Sequence, residues 1–391
     1  LVDYPELMRL LSVPRPNGSA AERETARALR AWLDGHDVRY RIETFRLYPY
    51  FNEGVGLWII ASRTLLALSI VLRWGWPAAL IAAVSLLGGV LDLAFHIPFT
   101  TWPGARRAEN ILIEFEPAAP EQEMVLSAHY DSKTELLDHT RTAFFTRKIN
   151  LGIGLTALLG ALGPLDAWLL GQGSPLAAIT FWAGVGLGLA LLVLAWGFGL
   201  NLTLGRFVEP SQGAVDNGAA CAILLDLAER LARSEIALER TRVTIALFAG
   251  EEVALQGSRA YVTGREWPLP AVVVNLELMA QDGDYVIWEH ESNTLRRVPT
   301  SHELNQALAE AVADVTGHAP RRIPSLMSDG FSFASAGIPT AVLGTYHSQM
   351  EGGGLHRPTD KLARVVPARL AEAVAALVLA LERYEAAEWN I

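Results

Sequence analysis

The sequence predicts an α/β protein, a central sheet with helices on both faces, interrupted by two apolar helical hairpins. Three observations predict it. Short apolar runs of strand length alternate with segments of helical period along most of the chain. Two blocks, residues 57–95 and 149–200, are almost wholly apolar. Hydrophobic residues fill 51% of the 391 positions and charged residues 19%, an apolar balance for a purely soluble protein.

The elements follow in order. Residues 4–11 and 19–33 read as helices, the second opened by a capping box of Ser19 and Glu22. Residues 38–45 alternate like a strand, residues 110–116 are strand-like, and residues 124–130 form a further strand. Residues 219–233 read as a helix, residues 242–249 as a buried strand, and a helix begins within 253–262. Residues 271–276 form another strand, 303–316 a helix, 340–343 a short strand and 367–385 a long amphipathic helix. Residues 1–13 mix polar and apolar positions and carry no signal-peptide pattern.

The first apolar block breaks at Arg73-Trp74-Gly75-Trp76-Pro77, which gives helices over about 57–72 and 78–95. A spanning helix needs roughly 20 apolar residues. The second helix nearly meets this; the first is short and carries Arg63. Tryptophans at the turn suit a membrane boundary, and a buried or interfacial hairpin is the competing reading. The second block breaks between Gly163-Pro164 and Gly173-Ser174-Pro175. Residues 176–200 contain no charge; residues 149–162 either stop at Pro164 or run past it with a kink. The result is an integral membrane chain of about four spans. Hairpins at 56–98 and 149–205 interrupt one soluble domain made of residues 1–55, 99–148 and 206–391. Each hairpin returns the chain to the side it left, so that domain lies on one face. Arg106, Arg107, Arg141, Arg147, Lys148 and Arg206 flank the spans there, against Arg73 and Asp166 at the far turns. Positive charge on the inside favours a cytoplasmic domain.

The formal net charge is −10, which argues against a nucleic-acid partner. It suits a cluster of carboxylates that neutralises metal cations. The one cysteine, Cys221, excludes an internal disulfide and reads as a small core residue.

Chemistry-bearing residues recur at strand ends. The strand Val125-Leu126-Ser127-Ala128 runs into His129, with Asp131 two residues on. Ligands in open α/β sheets bind beyond the carboxyl ends of strands. A neutral imidazole there can hold zinc while Asp131 accepts its other N–H; taken alone, a strand-end His is commonly structural. Asp216, before Asn217-Gly218 and a helix, reads equally as a cap or as a carboxylate shared by two metals. Glu251 and Glu252 follow a buried strand, and burying two adjacent acids is costly unless they are paired or bind a metal. Glu277 ends another strand, and His356 opens His356-Arg357-Pro358-Thr359-Asp360. Nitrogen and oxygen ligands without thiolate suit zinc or another divalent ion. His139, His302, His318 and His347 read as surface or loop residues, His347 being the nearest rival to His356.

These stretches together resemble metallopeptidase family twenty-eight, which includes zinc aminopeptidases, glutamate carboxypeptidases and the related glutaminyl cyclases. The matching residues are Ala128-His129-Tyr130-Asp131-Ser132, Val215-Asp216-Asn217-Gly218-Ala219, Phe248-Ala249-Gly250-Glu251-Glu252, Gly257-Ser258-Arg259-Ala260-Tyr261, Asn275-Leu276-Glu277-Leu278-Met279 and His356-Arg357-Pro358-Thr359-Asp360. The resemblance covers most of the soluble chain and neither apolar block. It implies a zinc exopeptidase-like mixed eight-stranded sheet flanked by helices. It also implies two Zn2+ or other divalent ions. His129 and Glu277 would hold one, Glu252 and His356 the other, with Asp216 between them. Asp131 would orient His129, and Glu251 would be the general base. The implied activity is exopeptidase hydrolysis of peptides, with aminopeptidase preferred because no obvious basic pair awaits a substrate carboxylate, the candidates Arg321 and Arg322 not being placed by sequence.

Four departures stand out. Glu277 occupies a position usually held by Asp. Leu355 stands where Tyr often assists the oxyanion, which makes Tyr346 a substitute candidate. Ser328-Asp329-Gly330 replaces the usual Ser-Asp-His. The hairpin of residues 149–205 separates motifs that relatives keep close. The hairpins suggest a lipid-bilayer partner and membrane-proximal peptide substrates. Competing readings are a glutaminyl cyclase-like acyltransferase, a non-catalytic scaffold and a transport pathway, the last weakened by the sparseness of Arg63 and Asp92.

Overall fold

A computed structural model describes residues 2–95, 100–101, 103–293, 296–324, 327–346 and 354–386. In chain order the elements are α1 (Tyr4–Leu11), α2 (Ala20–Gly35), β1 (Arg41–Leu47), α3 (Phe51–Val71), α4 (Gly75–Phe95), β2 (Arg106–Phe115) and β3 (Gln122–His129). Then come α5 (His139–Arg147), α6 (Ile149–Gly171), α7 (Leu176–Leu204), α8 (Ala219–Ala232), β4 (Thr241–Phe248), α9 (Gln256–Thr263) and β5 (Ala271–Glu277). The chain continues through β6 (Asp284–Trp288), β7 (His290–Ser292), β8 (Arg297–Pro299), α10 (His302–Thr316), β9 (Arg321–Ile323), α11 (Gly330–Ser335), β10 (Thr340–Tyr346) and α12 (Pro367–Glu385). It divides into two compact units.

The first unit comprises Leu1–Pro49, Ala105–Thr134 and Glu209–Ile391. Its eight-stranded sheet has the order β1-β2-β4-β3-β5-β10-β6-β9. The central strands β4, β3, β5 and β10 are mutually parallel, and antiparallel β2 and β6 flank them. This is the mixed α/β sheet that the sequence predicts. Apolar β-branched runs such as Val272-Val273-Val274 form strands buried on both faces because helices cover both. On one face Tyr261 and Val262 of α9 and Phe333 of α11 pack on Val125, Ala246, Phe248 and Val273. Leu126 and Ala128 alternate to the other face, where α8 lies against β2, β3 and β4, with α12 packed on α8. Ser19 caps α2 by accepting from the Glu22 N–H at 3.0 Å. The Glu22 carboxylate reaches back to the Gly18 N–H, one residue before the expected partner.

The second unit comprises Tyr50–Gly104 and Glu135–Val208 and is a helical bundle. Three of its helices, Phe51–Val71, Ile149–Gly171 and Leu176–Phe207, are long and apolar enough to cross a membrane by length and composition. The fourth is apolar over the shorter stretch Gly75–Leu91. Helix α3 starts at Phe51, earlier than hydropathy suggests, and Glu53 in its first turn pairs with Arg206. Helix α6 runs through Pro164 to Gly171. Small residues bring α4 and α6 close: a Cβ on Gly160 would lie 2.5 Å from Ala82 Cβ, and one on Gly163 2.8 Å from Ala78 Cβ. Leu66, Ile70, Leu155, Leu159 and Leu191 fill the bundle core. Its outer surface leaves Leu57, Leu65, Leu80, Leu87, Leu158, Ile179, Trp182 and Val193 exposed. The side chain of Asp92 lies outside the described residues.

Candidate metal centre

The four parallel strands end on one edge of the sheet, and so do the residues singled out above. His129 is the last residue of β3, in register with Phe248 at the end of β4. Glu277 ends β5, opposite Gly344 of β10. After β4 the chain turns through Gly250 at φ +76°, a conformation that suits glycine. It then turns again through Ala254 and Leu255, both at positive φ. That second turn delays α9 to Gln256, later than the sequence suggests. Asp216 lies in a distorted segment, Ala214–Gly218, that leads into α8. The Asp360 carboxylate tethers this segment by accepting from Val215 N at 2.8 Å and Asp216 N at 3.2 Å. His356 adopts φ +56° in the loop before Asp360.

The side chains converge in two sets. His129 Nε2 lies 3.2 Å from Asp216 Oδ1 and 3.2 Å from Glu277 Oε1. His356 Nε2 lies 3.1 Å from Asp216 Oδ2 and 3.0 Å from Glu252 Oε1. Asp216 thus offers one oxygen to each imidazole. One donor atom each from His129, Asp216 and Glu252 also lie within 4.8 Å of one another, and all three residues are buried. Glu251 stands beside the sets, its Oε2 3.9 Å from His129 Nε2. The nearest acceptor of His129 Nδ1 is the Asp131 carbonyl oxygen at 3.2 Å, with Asp131 Oδ1 at 3.6 Å. The Asp131 carboxylate instead accepts from Asn17 Nδ2, Glu251 N and Glu252 N, at 2.7, 3.3 and 3.1 Å.

The donor set fits a divalent cation. Nδ1–H donation to a carbonyl leaves the Nε2 lone pair of His129 facing the carboxylates. Zinc–ligand bonds of about 2.0–2.2 Å in a tetrahedron imply ligand–ligand edges of about 3.4 Å, and the nitrogen–oxygen separations of 3.0–3.2 Å come close to that. The charge balance also calls for a cation. Burial opposes charge on His129, yet Glu277 and Glu251 push its pKa well above the usual imidazole range. Burial pushes Glu277 up to about 6 and drives Glu251 well above the ordinary carboxylate range.

Tyr346 closes β10 opposite Asp284, and its ring lies under the Arg321 guanidinium, 5.4 Å away, against Val286, Trp288 and Val342. Its described contacts thus face β6 and β9. Cys221 is a fully buried core residue whose Sγ donates to the His129 carbonyl at 3.1 Å. His302 and His318 are exposed; His347 and the side chain of His139 lie outside the described residues.

Sequence reasoning assigned no supporting role to several residues that the structure places around the site. Arg15 is fully buried and donates to the carbonyls of Leu11, Val13, Tyr130, Gln212 and Gly213, which ties α1 to the segment before Asp216. Asn275 is a buried amide inside an apolar strand, and that contrast was its available signal. Asp329 is also fully buried, its carboxyl pushed up to about 7 by burial.

Comparison with known proteins agrees with this fold. The model of peptidase family M28 matches residues 201–381, so the family resemblance is borne out. No curated relative matches by sequence. Among solved structures the chain is similar to the zinc aminopeptidase BSAP of Bacillus subtilis, with TM-score 0.56 and 14% identity over 97% of this chain and 94% of that one. It is similar to an aminopeptidase from Aneurinibacillus sp. strain AM-1, with TM-score 0.55 and 14% identity over 97% and 92%. A Fimbriiglobus ruber glutaminyl cyclase gives the same values, TM-score 0.55 and 14% identity over 97% and 92%. Likeness at this identity is likeness of fold.

Proposed function

We propose that this chain, which carries the peptidase family M28 pattern, is a membrane-embedded dizinc aminopeptidase. The observation that carries the reading is one carboxylate between two imidazoles: Asp216 Oδ1 meets His129, which also meets Glu277, and Asp216 Oδ2 meets His356, which also meets Glu252. Divalent ions held by His129, Asp216, Glu252, Glu277 and His356 would polarise a substrate carbonyl and make a water more acidic. Glu251 takes the proton from the attacking water and returns it to the leaving amine. Its carboxylate lies 3.9 Å from His129 Nε2, beside the place the reacting water would take. Asp131 accepts the backbone N–H groups of Glu251 and Glu252, so it fixes the turn that aims both carboxylates. His129 is steered by the Asp131 carbonyl, with the carboxylate next to it.

The bilayer part of the proposal rests on the exposed apolar surface of the helical unit, which water would penalise and lipid would not. Substrates are then peptides or N-termini presented at or near the membrane. The glutaminyl cyclase fold is equally similar; the second His–Glu pair, His356 with Glu252, supports two-metal hydrolysis over a single-ion acyl transfer.

The test compares the purified chain with Glu251→Gln for zinc content and for cleavage of N-terminally free and blocked peptides. Two zincs per chain and turnover of free N-termini are expected, with turnover lost by about 10²-fold or more in the variant while metal is retained. Cyclisation of N-terminal glutamine without hydrolysis would replace the reading with the acyltransferase. Absence of both metal and turnover in zinc would sink it.

A further inference from the structure

The two carboxylate oxygens of Glu277 meet different partners. Oε1 lies 3.2 Å from His129 Nε2. Oε2 turns away, 3.3 Å from Asn217 Nδ2 and 3.4 Å from Asn275 Nδ2. Asn217 Nδ2 also donates to the Leu276 carbonyl at 2.8 Å. Asn275 is fully buried and is held from both ends. Its Oδ1 accepts from Ser127 Oγ at 2.7 Å, and its Nδ2 donates to Ser328 Oγ at 3.1 Å. Ser328 in turn donates its hydroxyl to Glu291 Oε1 at 2.5 Å and its N–H to Glu291 Oε2 at 3.1 Å. Glu291 is fully buried in the short β7 strand.

The directions of these bonds follow from the chemistry of each group. A hydroxyl has one hydrogen, and that of Ser328 goes to Glu291, so Ser328 can only accept from Asn275. Ser127 directs its own hydrogen to Oδ1. The amide is therefore oriented at both ends, with its second N–H facing Glu277 Oε2. A flipped amide would set Oδ1 against the carboxylate.

We propose that Asn217 and Asn275 clamp the outer oxygen of Glu277, so that this glutamate binds its metal through Oε1 alone, and that the Ser328–Glu291 pair positions Asn275 for that task. The inference rests on the two-metal reading above. A glutamate has the reach to chelate through both oxygens, which would fill a coordination position that the reacting water needs. The clamp keeps that position open. Asn217, Asn275, Ser328 and Glu291 are positioning residues, and all four are fully buried.

The experiment titrates the full detergent-solubilised chain with zinc against a competing chelator, and with Co2+ followed by visible absorption. The wild type is expected to bind two zincs. Asn275→Leu keeps the side-chain shape and removes both N–H donors. It should leave one site at wild-type affinity, weaken the other about 10–100-fold, and lower the Co2+ band intensity as coordination number rises. Ser328→Ala leaves Asn275 free to turn and should weaken the same single site about tenfold, which also covers the case of an Asn275→Leu chain that does not fold. Two zincs at wild-type affinity with an unchanged cobalt spectrum in either folded variant overturns the clamp. Equal weakening of both sites also overturns it, because that marks a general structural role. A wild type that binds no metal overturns the metallopeptidase reading instead, and the two failures are told apart by the wild-type titration alone.

Discussion

At the scale of single residues, buried charge governs the edge of this site. Glu22 accepts the Gly18 N–H, and Asn17 beside it holds the Asp131 carboxylate. Burial pushes the Glu22 carboxyl up to about 8, with Asp131 adding repulsion. The unfolded value is near 4.5, so between these limits the folded chain holds a proton that the unfolded chain has released. Stability therefore falls as pH rises from about 4.5 to about 8 and then levels off. Gln in place of Glu22 mimics the protonated form and keeps an oxygen for Gly18. In zinc-saturated chains, Glu22→Gln should match the wild type in thermal midpoint near pH 4. It should exceed the wild type near pH 8.5, by an amount worth at most about 5 kcal/mol. A variant that is less stable at pH 8.5 would mean that Glu22 is held as an anion. Legibility also divides at this scale. Residues at strand ends could be read because strand, breaker and acid or imidazole follow one another in the sequence: Phe248-Ala249-Gly250-Glu251-Glu252 is the plainest case. Arg15 could not. In Pro14-Arg15-Pro16-Asn17 it looks like a surface loop residue, and its burial arises only because Leu11, Tyr130 and Gln212 converge on it in space.

At the scale of elements, long periodic segments were legible and short ones were not. Helices α1, α10 and α12 and the central strands announce themselves through period and capping. The β6 strand was missed although Tyr285-Val286-Ile287-Trp288 has strong strand character, because Asp282-Gly283-Asp284 before it and the breaks after it read as loop. The three-residue strands β7, β8 and β9 are too short for any periodic signal. In the bundle, composition located the helices and contact chemistry explains their packing. Gly160 faces Ala82 at a spacing that leaves no room for a side chain, whereas a Cβ on Gly152 of the same helix would meet nothing within 4 Å. Gly160→Leu should therefore destabilise the solubilised chain by about 1–3 kcal/mol, seen as a lower thermal midpoint. Gly152→Leu should leave the midpoint within error of the wild type. Equal effects from the two substitutions would show that α4 and α6 do not approach through Gly160.

At the scale of the whole molecule, apolar composition indicates helices fit for a bilayer, and the proposed orientation rests on charge placement. The cations Arg106, Arg107, Arg141, Arg147, Lys148 and Arg206 cluster at the ends of the hairpins nearest the sheet segments, whereas the far turns carry Arg73 and Asp166, which pair with each other at 3.7 Å. The proposed orientation puts the catalytic unit in the cytoplasm and the turn at residues 172–175 on the opposite face. The chain offers a clean way to test this, since Cys221 is its one cysteine and is fully buried. Two exposed sites, Gln172→Cys and Glu121→Cys, each introduced alone, can then be probed in intact cells with a membrane-impermeant maleimide. The thiol at position 172 should react from outside, and the thiol at position 121 should react only after the membrane is opened. The reverse pattern would put the catalytic unit outside and make exported peptides its substrates. Reaction of both from outside without permeabilisation would mean that the helices do not carry the chain across, and the bundle would then be an interfacial or buried element.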